Sequence, residues 1–555
     1  MRTRPFLSKV QTFFLSAALV VSGVGVFGIT QANAVDDSEI YRVMSFRDDK
    51  DPISGNYLSK AGATTGGATS YSGCGAENDD LWDDANCAVP TSVLQVRNYL
   101  PTCDKEQVLN CIESISWRKD DGTLVKGIQN GTRGTINPDF FFSRKEALGV
   151  SEATAPQIYT FTGLTHSKGS DFAVTGHITQ DINKGVTAPG KILFSIAPVY
   201  SEIVSVDDED ARTECFNVNE KDSKCWKLAT ASDGVVFKAD FKLLDKPQGW
   251  ISGRLTSPKV EIATAADSAK RYAVSIEGAN IGIPTISKRY EFSNADQKAK
   301  WEKISAALNQ SPWSDRRGVV IPWGPEAFSY FNKVVAVDKE YDVADKLAAV
   351  WRVVLDPKNV PKGYGSSCST GDFQGFVSSN SMTYGTALPN YDGETMSYDV
   401  ASPHYKPGGK DYVADAFNGR YDLLLTEAYA RCVWGIKDAL PKIEVNVFKT
   451  DGSVDSSAKV VGGLDASGFF KFSATGFTFS SPKIKIKLTA PPTTGGTPAV
   501  TQEAAAPAEK APAAKAPAAK APAKVTIKSI SCVKGKIVKK VSGSNPKCPA
   551  GFKKK

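Results

Sequence analysis

"KIEVNVFKT" (442–450) and "SPKIKIKLTA" (481–490) alternate apolar and polar residues almost without interruption. A period of two marks a strand with one buried face, which puts Ile443, Val445 and Val447 on one side, and Ile484, Ile486 and Leu488 likewise. With "FFKFSATGFTFS" (469–480) between them and a turn at "TDGS" (450–453), they predict a β-sandwich-like domain over residues 357–490. Lys483, Lys485 and Lys487 fall on the other side, a modest basic ladder read as a solvated face.

Working towards the N-terminus, "YTFTGLTH" (159–166) and "DFAVTGHIT" (171–179) read as a hairpin turning at Lys168 and Gly169. In that register His166 faces Asp171 and His177 faces Thr160, so the two histidines stand about 20 Å apart and share no metal. "VVFKADFKLL" (235–244), "VEIATA" (260–265) and "YAVSIEGANIGI" (272–283) extend this β-rich domain over 159–290. A helical insertion is expected at 291–356. In "SNADQKAKWEKISAALN" (293–309), Ser293 or Asn294 caps a helix whose face carries Trp301, Ile304 and Leu308. In "DVADKLAAVWRVV" (342–354), Val343, Leu347, Val350 and Trp351 repeat that spacing. These stripes are read as core packing, not as a ligand box. Residues 35–158 are rich in turn signals such as "AGATTGGATSYSGCG" and are expected to be irregular and Cys-stapled.

The chain begins like an exported protein. Arg2, Arg4 and Lys9 precede an apolar run from Phe13 to Ile29, and Ala32-Asn33-Ala34 offers a cleavage site, so residues 1–34 read as a signal peptide. No later run is long enough to span a membrane. Ten cysteines follow, and nearest-neighbour pairing uses all of them: Cys74 with Cys87, Cys103 with Cys111, Cys215 with Cys225, Cys368 with Cys432, Cys532 with Cys548. Sequence leaves the connectivity open, but with no CxxC and only three histidines, disulfides are favoured over zinc.

Charge separates along the chain. Thr501–Lys555 holds 13 Lys against Glu503 and Glu509, a surplus of 11, and the signal adds 3, so a total of +7 leaves residues 35–500 at −7. Residues 491–524, "PPTTGGTPAVTQEAAAPAEKAPAAKAPAAKAPAK", cannot bury a core and read as an extended spacer reaching on the order of 100 Å. Residues 525–555 read as two short strands around Lys534 and Gly535, locked by Cys532 and Cys548 into a basic hairpin.

That end, "TIKSISCVKGKIVKKVSGSNPKCPAGFKKK", resembles a small basic module closing many exported proteins of aquatic actinobacteria. The body resembles exported proteins of the same phylum in "GWISGRLTSPKVEI", "YAVSIEGANIGIP", "VASPHYKP", "GRYDLLLTEAYARCVWG" and "GFTFSSPKIKIKL". The resemblance covers roughly residues 240–290 and 365–490 plus the tail. It implies a secreted or cell-surface setting and carries no catalytic residues with it.

Chemical motifs are scarce. GxGxxG occurs at Gly23, Gly25 and Gly28, inside the signal, and there is no GxxxxGK[ST], GxSxG, HExxH or EF-hand loop. His404, with Ser402, Asp399 and Asp411 nearby, supplies the residue types of a hydrolase, and His404 and Asp399 are the catalytic candidates. A turn histidine with a structural hydrogen bond is the favoured reading. "DDLWDD" (79–84) and "DDED" (207–210) match no Ca2+ loop and read as solvated surface. Carboxylate pairs for glycoside hydrolysis remain open, because the two acids can be distant in sequence. Trp82, Trp226, Trp250, Trp313 and Trp323 would stack on carbohydrate if exposed, although plugging sheet rims is the commoner use.

The sequence thus predicts a mainly β, disulfide-stapled α+β multidomain chain with no metal and no cofactor. The expected function is a non-enzymatic surface protein, secreted or envelope-associated. Lys534, Lys536, Lys539, Lys540, Lys547, Lys553, Lys554 and Lys555 would contact an anionic envelope polymer. The alternative is a secreted hydrolase of polysaccharide or peptide kept near the cell by the same tail. Extracellular nucleic acid is a further ligand those lysines permit; intracellular nucleic acid is not.

Overall fold

The computed structural model describes residues 41–46, 57–65, 68–73, 81–83, 93–103, 109–132, 142–204, 217–219, 224–230, 232–309, 317–320, 325–357, 368, 372–384, 389–411, 414–436, 442–448, 453–455, 457–479, 483–489, 528–534, 537–543 and 553–554. The signal peptide, the spacer, Cys74, Cys87, Cys215, Cys548, Trp313, Trp323, Lys536, Lys547 and Lys555 lie outside them. The chain divides into two units, Met1–Pro492 and Thr493–Lys555. It is a mixed α/β fold dominated by sheets, with few helices.

The first unit is organised on one large sheet. Its central strands are β1 (Asp171–Asn183), β2 (Lys191–Ile203), β3 (Gly249–Arg254), β4 (Lys346–Leu355) and β5 (Phe373–Ser379). They pair in the spatial order β1, β2, β4, β3, β5, antiparallel throughout except between β3 and β5. After β6 (Met396–Ala401), which belongs elsewhere, β7 (Gly419–Thr426) joins β5. After β8 (Lys442–Phe448), β9 (Phe469–Phe477) joins β7. One face of the large sheet packs Phe194, Trp351, Ile251 and Phe376 against Ile115, Phe241 and Ile276 of a five-stranded sheet. The other face packs Trp250, Val377, Leu423 and Phe472 against a sheet in which β10 (Lys483–Thr489) lies between β6 and β8. Strands β3 and β5 are therefore buried on both sides. Gly375 in β5 leaves room for the backbone of the neighbouring β7 and for the Trp250 ring, since a Cβ there would lie 2.4 Å from the Leu424 carbonyl oxygen and 2.9 Å from that ring.

The alternation in β8 and β10 is realised in register: Ile443, Val445 and Val447 oppose Leu488, Ile486 and Ile484. On the outer side, Lys483 pairs with Asp399 at 3.5 Å, Lys487 with Glu394, and Lys485 lies over the Phe448 ring. The lysine ladder is interleaved with acids.

A third core joins Tyr41–Phe46 and the end of the strand Ile281–Glu291 to helices α1 (Ala295–Ala307) and α2 (Pro325–Val337). Asn294 caps α1 by accepting the Asp296 and Gln297 N–H groups, and Trp301, Ile304 and Leu308 face inward as expected. A short α3 (Glu427–Trp434) follows β7, capped by Thr426 and closed by Gly435 at φ 65°.

Three expectations are corrected. "DVADKLAAVWRVV" does not form a helix; its latter part is β4, flanked by β2 and β3 over one part of its length and by Ile281–Glu291 over the other. Apolar residues fill both faces of such a strand, so their spacing mimics a helix. The described residues within 35–158 include regular strands: Cys111–Arg118 is an inner strand of the five-stranded sheet, and Val93–Tyr99 pairs with β1. The hairpin at 159–179 has a wider loop than expected. Gln157–Thr160 pairs with Asp171–Val174, so His177 opposes Tyr99 and Leu193 instead of Thr160.

Cys103–Cys111 and Cys368–Cys432 are disulfides, and Cys225 is also disulfide-bonded. In the second unit, β11 (Lys528–Lys534) pairs antiparallel with β12 (Ile537–Gly543) and with β13 (Lys553–Lys554). No helix among the described residues is long and apolar enough to cross a membrane.

Candidate functional site

His404 follows β6 and lies against a 3-10 turn, Lys339–Asp342, that sequence gives no reason to connect with it. The turn begins at Asp338, whose carboxylate accepts the Glu340 N–H at 3.2 Å, the Tyr290 hydroxyl at 2.9 Å and the Lys300 ammonium at 3.2 Å. Asp342 ends it. Its Oδ1 accepts the His404 backbone N–H at 3.1 Å and meets ring Nδ1. Backbone bonds fix the same junction: Tyr405 N–H to Asp342 O, Ala344 N–H to Tyr405 O, and Phe417 N–H to His404 O.

Burial pushes the Asp342 carboxyl up, but the hydrogen bonds and charge of His404, with Lys339, hold it below its ordinary value. An imidazole gripped at Nδ1 by a carboxylate is the orienting half of a general-base pair, and equally a means of tying two segments together. The other residue types near His404 are engaged elsewhere. Ser402 is buried and its Oγ accepts the Met382 N–H at 3.2 Å. Asp399 faces Lys483, and Asp411 accepts the Ala414 N–H at 2.9 Å. The structure thus joins His404 to Asp342 and places Asp399 on the outer side of the sheet that contains β6, β10 and β8.

The remaining histidines serve the fold. His166 Nδ1 accepts the Lys168 N–H at 3.2 Å and Nε2 lies 2.9 Å from the Asp171 carbonyl, while burial lowers its pKa. His177 is buried with its ring 4.2 Å from that of Tyr99. Among the described residues no group of three or more His, Cys, Asp or Glu side chains is placed to hold a metal. Of the acidic runs, "DDED" and Asp79, Asp80 and Asp84 of "DDLWDD" lie outside those residues.

The tryptophans that can be placed fill the core. Trp226 and Trp250 are buried, and Trp82 is half-buried with Nε1 donating to Ser143 O at 2.8 Å. In the second unit, Lys539 and Lys554 occupy register positions on either side of Cys532, in the strands flanking β11. Lys553 is at the position opposite Val533, and Lys540 opposite Ser531. Lys534 closes β11 opposite Ile537.

Scans of protein-family models, of curated proteins and of solved structures find no match to the chain.

Proposed function

We propose that the chain is an exported surface protein, non-enzymatic, whose sandwich-like body is held at the cell envelope by a cationic C-terminal hairpin. The observation that carries the reading is the charge division: a surplus of 11 positive charges in Thr501–Lys555 against −7 in residues 35–500. A basic arm on a Pro/Ala/Lys spacer attracts phosphate-bearing or other anionic polymers, whereas the acidic body is repelled by them. Three strands carrying lysines at adjoining register positions concentrate that charge, and the spacer gives it reach.

The test compares the mature protein with a version ending at Ala490 for retention on isolated cell walls across a salt series. The full chain is expected to be retained at low salt and released as the Debye length shrinks from about 10 Å at 0.1 M to about 3 Å at 1 M. Equal retention of the two forms sinks the reading. Stronger competition by DNA fragments than by teichoic acid would transfer the tail to nucleic acid.

A second reading, a hydrolase kept near the cell by the same tail, draws on the Asp342–His404 pair, because a carboxylate-held imidazole is a ready general base. Turnover of a polysaccharide or peptide that His404→Ala abolishes would establish it.

A further inference from the structure

The interior shared by the large sheet and the five-stranded sheet opens into a cleft beside the loop 244–248. Its floor is one register row: Ile178 of β1 pairs with Ile192 of β2, Ile192 with Leu355 of β4, and Leu355 with Ile251 of β3. Directly paired residues of an antiparallel ladder project to one face, so four aliphatic side chains lie abreast. Leu243, at the end of the strand Val236–Leu243, lines the cleft from the five-stranded sheet.

The rim is polar, and the fold leaves part of it unmatched. Asn110 is only 3 % exposed, and its Oδ1 accepts the Leu244 N–H at 2.9 Å. Its Nδ2 has no hydrogen bond among the described residues. Asp245, the residue after Leu244, has neither a hydrogen bond nor an ion pair among them, and the Gln248 amide is equally free. Asp245 is exposed at the mouth, but the wall beside it desolvates the carboxyl and pushes it above its ordinary value, with no cation to draw it back. The loop is held by other groups: Lys246 Nζ binds the Asp372 carboxylate at 2.6 Å, and the Gly249 N–H donates to Asp372 O at 3.0 Å. The second acid of the lining, Asp356, is paired with Lys191 at 2.9 Å. A donor and a carboxylate that the fold does not use, converging on an apolar floor, are the makings of a ligand site.

We infer that this cleft binds a small amino alcohol, its ammonium on Asp245, its hydroxyl between Asn110 Nδ2 and Gln248, and its carbons on the Ile192–Leu355 row. Both polar groups are required. A neutral polyol leaves the desolvated carboxylate without a counter-charge, and a plain amine leaves the Asn110 donor unpaired. The cavity volume is about 30 Å3, room for about two water-sized groups, and reaches about 400 Å3 when the open mouth is counted. That space takes 2-aminoethanol whole, or the amino-alcohol corner of an amino sugar whose ring stays in the mouth.

The test follows the thermal unfolding midpoint of the full chain at pH 7 and constant ionic strength. With 2-aminoethanol the midpoint is expected to rise and saturate within about 50 mM, as mass action requires of a site present only in the folded state. Asp245→Asn removes no contact of the fold, so its midpoint without ligand should match wild type, and it should weaken 2-aminoethanol on the order of tenfold or more. Gln248→Leu gives a second, smaller loss. Glucosamine separates the two sources: saturation at lower concentration than 2-aminoethanol assigns the site to an amino sugar, and no rise assigns it to the free amino alcohol. A rise that never saturates, or that is the same in Asp245→Asn, is a general solvent effect and overturns the proposal. An equal rise with ethylene glycol or N-acetylglucosamine shows that the charge is not read, and an equal rise with n-propylamine that the hydroxyl is not; either overturns the amino-alcohol assignment.

Discussion

Replacing Asp342 by Asn separates the two things its carboxylate does at His404. The amide keeps an oxygen to accept the His404 backbone N–H, at 3.1 Å in the native protein, but loses the charge that faces ring Nδ1. A hydrogen bond to a charged group contributes about 1.5–3 kcal/mol. The two side chains are about a quarter exposed, 24 % for His404 and 23 % for Asp342, so solvent screening reduces the expected loss to about 1–2 kcal/mol. The sign with pH follows from the depressed carboxyl: its contribution is complete above the unfolded value of about 3.9 and is lost as pH falls through the lower folded value. Urea unfolding followed by tryptophan fluorescence, with Trp301 buried in the neighbouring core, should show the full difference between wild type and D342N at pH 7. The difference should shrink at pH 3 and below. A difference under about 0.5 kcal/mol at pH 7, or one unchanged by acid, would refute the account of a charge-bearing tie.

The alternation in β10 predicts opposite outcomes for adjacent residues. Ile486→Ala should cost about 3 kcal/mol, because Ile486 is buried between its register partners Met396 and Val445, while Lys485→Ala should stay within about 0.5 kcal/mol; urea midpoints of the two variants check this. Removing the Cys368–Cys432 disulfide by double alanine substitution should cost about 4 kcal/mol for a sequence separation of 64, read as a lower thermal midpoint that reductant no longer changes at this bond.

Much of the fold is legible wherever one face of an element is wet. Ile484, Ile486 and Leu488 alternate with lysines because the outer side of that layer meets solvent, and the strand follows directly. Asn294 announces α1 through a bond to its own near neighbours. Legibility fails where water is absent from both sides. In β4 the run from Ala349 to Leu355 is continuously buried, so polarity gives no period, and the residues that fit a helix face equally fit a central strand. The second helix of the insertion, Pro325–Val337, has its own signal in an N-terminal Pro and in Phe331 and Val334 three apart.

The candidate site divides the same way. His404 can be chosen from sequence because histidine is rare, but its partner cannot: Asp399, Asp411 and Ser402 are nearer in the chain, whereas Asp342 is 62 positions away. Asp245 carries no local mark of its missing partner, since aspartate is ordinarily a surface residue.

By itself the sequence determined what depends on near neighbours and on composition: the alternating strands, the cap and face of α1, the acidic body and basic end. Tertiary structure alone decided which strands lie side by side, and therefore which carboxylate reaches His404 and that Asn110 and Asp245 border one cleft. Strand pairing joins residues tens to hundreds of positions apart through backbone hydrogen bonds that every sequence can make. The choice of partner is set by how whole faces pack, and that information is distributed over the entire chain.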